Sequence, residues 1–152
     1  MSPRRYFLLT LLLSMGGTLF AAYQSGYKFF VRSCAFGEAC PYVWGLPACY
    51  YGLALFLILL GASAVGLRYH AAGFGPISRR IMLGASFAGL IFAGTISVQE
   101  LNGILHDTGA VYGLGLPTCV YGAIFFAAIF VLSVTAPRDA ARGSSPAGSP
   151  RR

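Results

Sequence analysis

Tyr42-Val-Trp-Gly-Leu-Pro-Ala-Cys-Tyr-Tyr-Gly52 and Tyr112-Gly-Leu-Gly-Leu-Pro-Thr-Cys-Val-Tyr-Gly122 share the frame Y-x-x-G-L-P-x-C-x-Y-G, with seven of eleven positions identical. In both copies the motif runs straight into an apolar segment. Cys49 and Cys119 are therefore expected at equivalent helix starts, with Pro47 in the first turn, where its missing N–H costs nothing.

Outward from the motif, four apolar segments of spanning length are legible: Tyr6 to Tyr23, Tyr50 to Leu67, Ile81 to Val98 and Cys119 to Ala136. None holds a charged residue, and each is near the ~20 residues that cross ~30 Å of hydrocarbon. The whole chain is 57% hydrophobic and 10% charged, far from the roughly 25% charged of soluble proteins. The expected fold is all-α, a polytopic membrane protein whose four-transmembrane-helix bundle arises by tandem duplication of a helical hairpin. Residues 1–136 form the bundle, with repeat one at 1–70 and repeat two at 75–136. Residues 137–152, rich in Ser, Gly, Pro, Ala and Arg without apolar periodicity, read as a disordered tail.

Pairing Arg4-Arg5 with Arg79-Arg80 and Gln24 with Gln99 puts the first helices of the repeats 75 residues apart, and the cysteine motifs are 70 apart. Both copies have the same orientation, which predicts a relating axis along the membrane normal. The repeat also requires the first segment as a helix. A basic start before an apolar run resembles a signal peptide, yet no convincing small-x-small cleavage site follows. Ser2 before Pro3 is the expected N-cap of that helix. Small residues in helix one (Ser14, Gly16, Gly17, Thr18) and in helix three (Gly84, Ala85, Ala88, Gly89, Ala93, Gly94) mark close-packing faces.

The net charge of +7 does not indicate nucleic acid, because nine arginines fall at the start, the middle link and the tail, while only Lys28 and Arg32 fall in the other two loops. This is the positive-inside bias, and it predicts both termini to be cytoplasmic. Cys34, Cys40, Cys49 and Cys119 then all lie on the outer, periplasmic or lumenal side, the oxidising compartment. The outer loop from Gln24 to Pro47 is aromatic, as expected of a segment lying at the bilayer interface.

Paired outer cysteines suggest thiol–disulfide exchange. Cys34 and Cys40 would be the mobile pair that meets a partner's thiols, and Cys49 and Cys119 the membrane-proximal pair. Orphan N–H groups at the two helix starts favour a thiolate there, and Trp44, Tyr51 and Tyr121 are candidate walls for a quinone ring. The competing reading from another class is a non-catalytic membrane subunit or scaffold, with disulfides Cys34–Cys40 and Cys49–Cys119, docking a larger membrane complex. Four cysteines allow three pairings, and sequence does not choose among them. No metal site is expected: His106 and Asp107 lack metal-ligand spacing with the cysteines. A solute transporter is disfavoured by spans free of charge.

Cys34-x5-Cys40, followed by Gly45-Leu-Pro47 and Gly52 on a four-helix chain, resembles the vitamin K epoxide reductase-like family of membrane thiol oxidoreductases. Cys119 stands where that family keeps a C-x-x-C pair, and Gly122 occupies the place of its second cysteine. The internal repeat therefore assigns that partner's role to Cys49. The resemblance implies a quinone acceptor and a thioredoxin-like extracytoplasmic partner.

Overall fold

A bilayer-spanning helix is apolar on all sides, so its inward face is marked by small and hydroxyl residues that admit a neighbour rather than by a hydrophobic stripe. The computed structural model of the protein describes residues 2–31, 42–69, 73–106 and 117–136. It contains α1 (Pro3–Val31), a two-stranded hairpin of β1 (Tyr42–Val43) and β2 (Leu46–Pro47), α2 (Ala48–Tyr69), α3 (Gly75–His106) and α4 (Thr118–Thr135). Each helix is long and apolar enough to cross a membrane. The proposed tail at 137–152, His70, Asp107 and the Cys34–Cys40 segment lie outside the described residues, as does the side chain of His106.

Ser2 caps α1 as its sequence indicates: the Arg5 N–H reaches Ser2 Oγ at 3.4 Å and the Tyr6 N–H reaches the Ser2 carbonyl at 3.1 Å. The first helix of each hairpin runs further than its apolar segment. At 29 and 32 residues, α1 and α3 reach about 43 and 48 Å, beyond the ~30 Å of hydrocarbon. Residues 24–31 and 99–106, expected in loops, thus continue the helices.

The helices pack in cyclic order, α1 on α2, α2 on α3, α3 on α4 and α4 on α1. The interior is filled by phenylalanines set against glycines. The Phe56 ring occupies the space that a Cβ on Gly17 would need, Phe7 does the same at Gly66, and Phe126 at Gly89. Phe56 and Phe126, the same position of the two repeats, stack face to face at 4.2 Å between centroids and 9° between planes. That stack lies where an axis relating the hairpins must pass, since it joins the otherwise diagonal α2 and α4. Outside the core, large apolar side chains such as Leu12, Leu19, Ile58 and Val131 are exposed. This arrangement suits a protein solvated by lipid.

Burial shows the register of the repeat. Ser14 and Ser86, Gly17 and Gly89, Ala21 and Ala93, and Ser25 and Ser97 are all buried pairs 72 residues apart. The 75-residue pairing of Arg4-Arg5 with Arg79-Arg80 is not the packing register. Arginines mark only where a helix leaves the bilayer, whereas three residues along a helix change its inward face. Gln24 accordingly corresponds to Ile96, and Gln99 is exposed. Of the small residues in α3, Gly89 carries the close approach; Gly84 and Gly94 have open space where a Cβ would go.

Four buried serines are satisfied by their own helices. Ser14, Ser63, Ser86 and Ser97 each donate to the carbonyl four residues earlier, at 2.6 to 2.7 Å. At the end of the bundle near Arg4, Arg68 and Arg79, Tyr6 crosses between hairpins: its hydroxyl lies 3.0 Å from Ser133 Oγ and 3.8 Å from Met82 Sδ. Arg79 Nε adds a bond to the Ser133 carbonyl at 3.1 Å. Tyr6→Phe keeps the buried ring and removes only the crossing hydroxyl, so it should lower stability by about 0.6 to 1.7 kcal/mol, the usual worth of an interhelical bond in a membrane bundle. Reversible unfolding by SDS in mixed micelles checks this, and an unchanged midpoint would show that the hydroxyl ties nothing together.

Candidate functional site at the cysteine end of the bundle

Two residues between strands, both with positive φ, make a type I′ turn, whose twist suits a tight hairpin. Here they are Trp44 (φ 49°) and Gly45 (φ 83°), with Val43 paired to Leu46 and Tyr42 to Pro47. The shared G-L-P is thus the returning strand of a hairpin in repeat one, and α2 starts immediately after it at Ala48. Pro47 precedes the helix rather than occupying its first turn. Pro117 likewise takes the N-cap of α4, with φ −53° and ψ 138°. A proline disfavours the helical region for the residue before it, so each proline discourages its helix from extending further back.

Cys49 and Cys119 fall as expected in the first turns of α2 and α4, and both are half-buried. Cys49 is a free thiol. Residues seven apart on a helix share a face, so Cys49, Phe56 and Ser63 form one stripe and Cys119, Phe126 and Ser133 its counterpart. The stacked Phe56 and Phe126 rings show that these stripes face each other across the bundle. The cysteines therefore stand two turns, about 10 Å, beyond that stack on the facing stripes. The arginine-bearing helix ends lie at the opposite end of the bundle.

The three aromatic residues proposed to hold a ring occupy separate places. Tyr51 packs on Phe92 of α3 at 5.5 Å and donates its hydroxyl to the Val43 carbonyl at 3.1 Å, tying the hairpin to α2. Tyr121 packs on Phe20 of α1 at 6.3 Å. These are equivalent contacts of the repeat, on opposite sides of the bundle. Trp44 is 94% exposed at the hairpin tip, with Lys28 stacked beside the hairpin, 5.3 Å from the Tyr42 ring centroid. An open groove of about 540 Å³ on α3, lined by Leu90, Ile91, Gly94, Thr95, Val98 and Gln99, includes neither cysteine. No metal-holding cluster of His, Cys, Asp and Glu occurs among the described residues.

Trp44 adopts a left-handed backbone that costs an L-residue roughly 1–2 kcal/mol, so Trp44→Gly should stabilise the hairpin by about 1 kcal/mol. SDS unfolding measures it; a lowered midpoint would mean that anchoring of the indole outweighs the backbone strain.

No protein-family model, curated protein or solved structure matches this chain.

What sequence reasoning missed is the polar pair Gln24 and Ser25 at the level of the cysteines. Hydropathy by itself puts both at the end of a span or in the loop beyond it. Both are buried, at 7% and 4% exposure. The signal that locates them is the extended helix, which only the packing reveals.

Proposed function

We propose that the protein is a membrane thiol–disulfide oxidoreductase that passes electrons from extracytoplasmic dithiols to a membrane quinone. The observation that carries this reading is the placement of Cys49 and Cys119 on facing stripes at one end of a membrane-type bundle, with Cys49 as a free thiol. The positive-inside charge distribution supports placing that end on the outer side and both termini in the cytoplasm. The resemblance to vitamin K epoxide reductase-like proteins motivates the quinone and a thioredoxin-like partner.

In this scheme a partner dithiol attacks a Cys34–Cys40 disulfide, and the partner leaves oxidised. The reduced Cys34 and Cys40 then exchange with a Cys49–Cys119 disulfide. The resulting Cys49 and Cys119 thiols reform their bond as two electrons and two protons pass to quinone, giving quinol. Each exchange requires a thiolate to displace sulfur from sulfur. The partners of such a system are lipid, a thioredoxin-like protein and, if the chain is a subunit, a larger membrane complex.

The purified protein in lipid nanodiscs, supplied with a reducing dithiol and a short-chain quinone, should accelerate quinol formation over protein-free nanodiscs. Equal rates in the two would sink the oxidoreductase reading in favour of the scaffold.

A further inference from the structure

The two hairpins bury largely equivalent positions, so a difference in residue type beside a functional residue is informative. Gly17 faces Phe56 and Phe7 faces Gly66, so position n of α1 lies opposite position 73 − n of α2. Gln24 therefore lies opposite Cys49, and Ser25 opposite Ala48. In hairpin two Gly89 faces Phe126, which sets Ile96 opposite Cys119. The position opposite Cys49 thus carries an amide, and the equivalent position in hairpin two carries the hydrocarbon side chain of Ile96.

One member of the polar pair is unsatisfied. Ser25 is 4% exposed and its Oγ has no hydrogen-bond partner. Its counterpart Ser97 donates to the Ala93 carbonyl at 2.7 Å. A buried hydroxyl without a partner costs roughly 1–3 kcal/mol, which a ligand bearing an acceptor would recover. The first turn of α2 adds backbone N–H groups with no acceptor inside the helix. Gln24 NH2, Ser25 OH and these N–H groups can all donate, and the register of α1 against α2 sets them at the level of Cys49. A donor-rich, otherwise apolar place suits a neutral carbonyl oxygen on a flat apolar ring.

We infer that Gln24, Ser25 and the first turn of α2 form the binding site for a quinone carbonyl, which makes Cys49 the thiol that reduces the ring and Cys119 its disulfide partner. This rests on the oxidoreductase reading and assigns its two membrane-proximal cysteines different roles. As the Cys49–Cys119 bond forms, two electrons and two protons leave the thiols and the quinone becomes quinol. Donors on the carbonyl oxygen favour that transfer, because negative charge develops on it.

Trp44 is the only tryptophan and sits on the hairpin directly preceding α2, so its fluorescence reports on a quinone bound at this site. The full chain in nanodiscs is titrated with a quinone carrying one isoprene unit. Saturable quenching is expected, with Gln24→Met and Ser25→Ala each raising the dissociation constant about tenfold, the worth of one lost bond to a buried acceptor. Ile96 shows that the repeat accepts an apolar residue at this level, so Gln24→Met should fold. In turnover the KM for quinone rises with the same variants and the KM for the dithiol does not. If wild type and both variants bind and turn over quinone alike, this site is wrong while the oxidoreductase reading stands. If quenching is linear and no quinol forms with wild type, both fall.

Discussion

Cys49→Ser and Cys119→Ser should each reduce dithiol-dependent quinol formation by roughly a hundredfold or more, with the unfolding midpoint of the dithiol-reduced protein nearly unchanged. Serine has the shape of cysteine but forms no disulfide, so either change removes the bond through which the electron pair passes. The loss of turnover separates the two classes of function. A permanent Cys49–Cys119 staple would close a long loop, and such a bond is worth about 4 kcal/mol in the chain-entropy account. A scaffold would therefore lose stability and no chemistry. The structure has Cys49 as a free thiol, half-buried in the first turn of α2, so its replacement costs little packing. Quinol formation in nanodiscs and SDS unfolding of the same preparations measure both halves. Full turnover in either variant would exclude the relay.

Gly17→Leu should prevent the native bundle from forming, and Gly89→Leu should do the same through the other hairpin. A Cβ on Gly17 would stand 2.2 Å from a Phe56 ring carbon, and one on Gly89 2.4 Å from Phe126. Those two rings stack on each other at 4.2 Å, so neither can retreat without displacing its counterpart. Overpacking of a filled core ordinarily costs about 1–3 kcal/mol, and a side chain forced through a stacked pair lies at or beyond the top of that range. Gly17→Ala should already be measurably destabilising. Combining it with Phe56→Leu, which vacates the ring, should restore part of the loss. A double-mutant cycle read by SDS unfolding gives the coupling, and strict additivity would show that the two residues do not meet. Gly94→Ala, where a Cβ meets open space, serves as the neutral comparison.

The candidate site was only partly legible. Cys49 and Cys119 were found because an eleven-residue echo is a property of the sequence itself. Gln24 and Ser25 were not found, because hydropathy ends a span at its first polar residues while α1 continues through them to Val31. The Tyr51 hydroxyl binds the Val43 carbonyl of a hairpin, where the G-L-P motif by itself indicates the start of a helix. A type I′ turn at Trp44-Gly45 is hard to foresee, because Trp rarely takes a positive φ.

Composition, the four uncharged apolar segments and the duplicated motif were enough to determine four helices, their hairpin order and the matched positions of the two cysteines. These properties are additive along the chain: spanning length counts apolar residues, and a repeat counts identities. Which face of each helix turns inward was decided only in three dimensions. With lipid outside and side chains inside almost equally apolar, hydrophobicity carries no directional information. The direction comes from Phe7, Phe56 and Phe126 finding the glycines that admit them, and from the meeting of Phe56 with Phe126. That packing moved the repeat register from 75 to 72 residues and brought Gln24, instead of a lipid-facing residue, opposite Cys49.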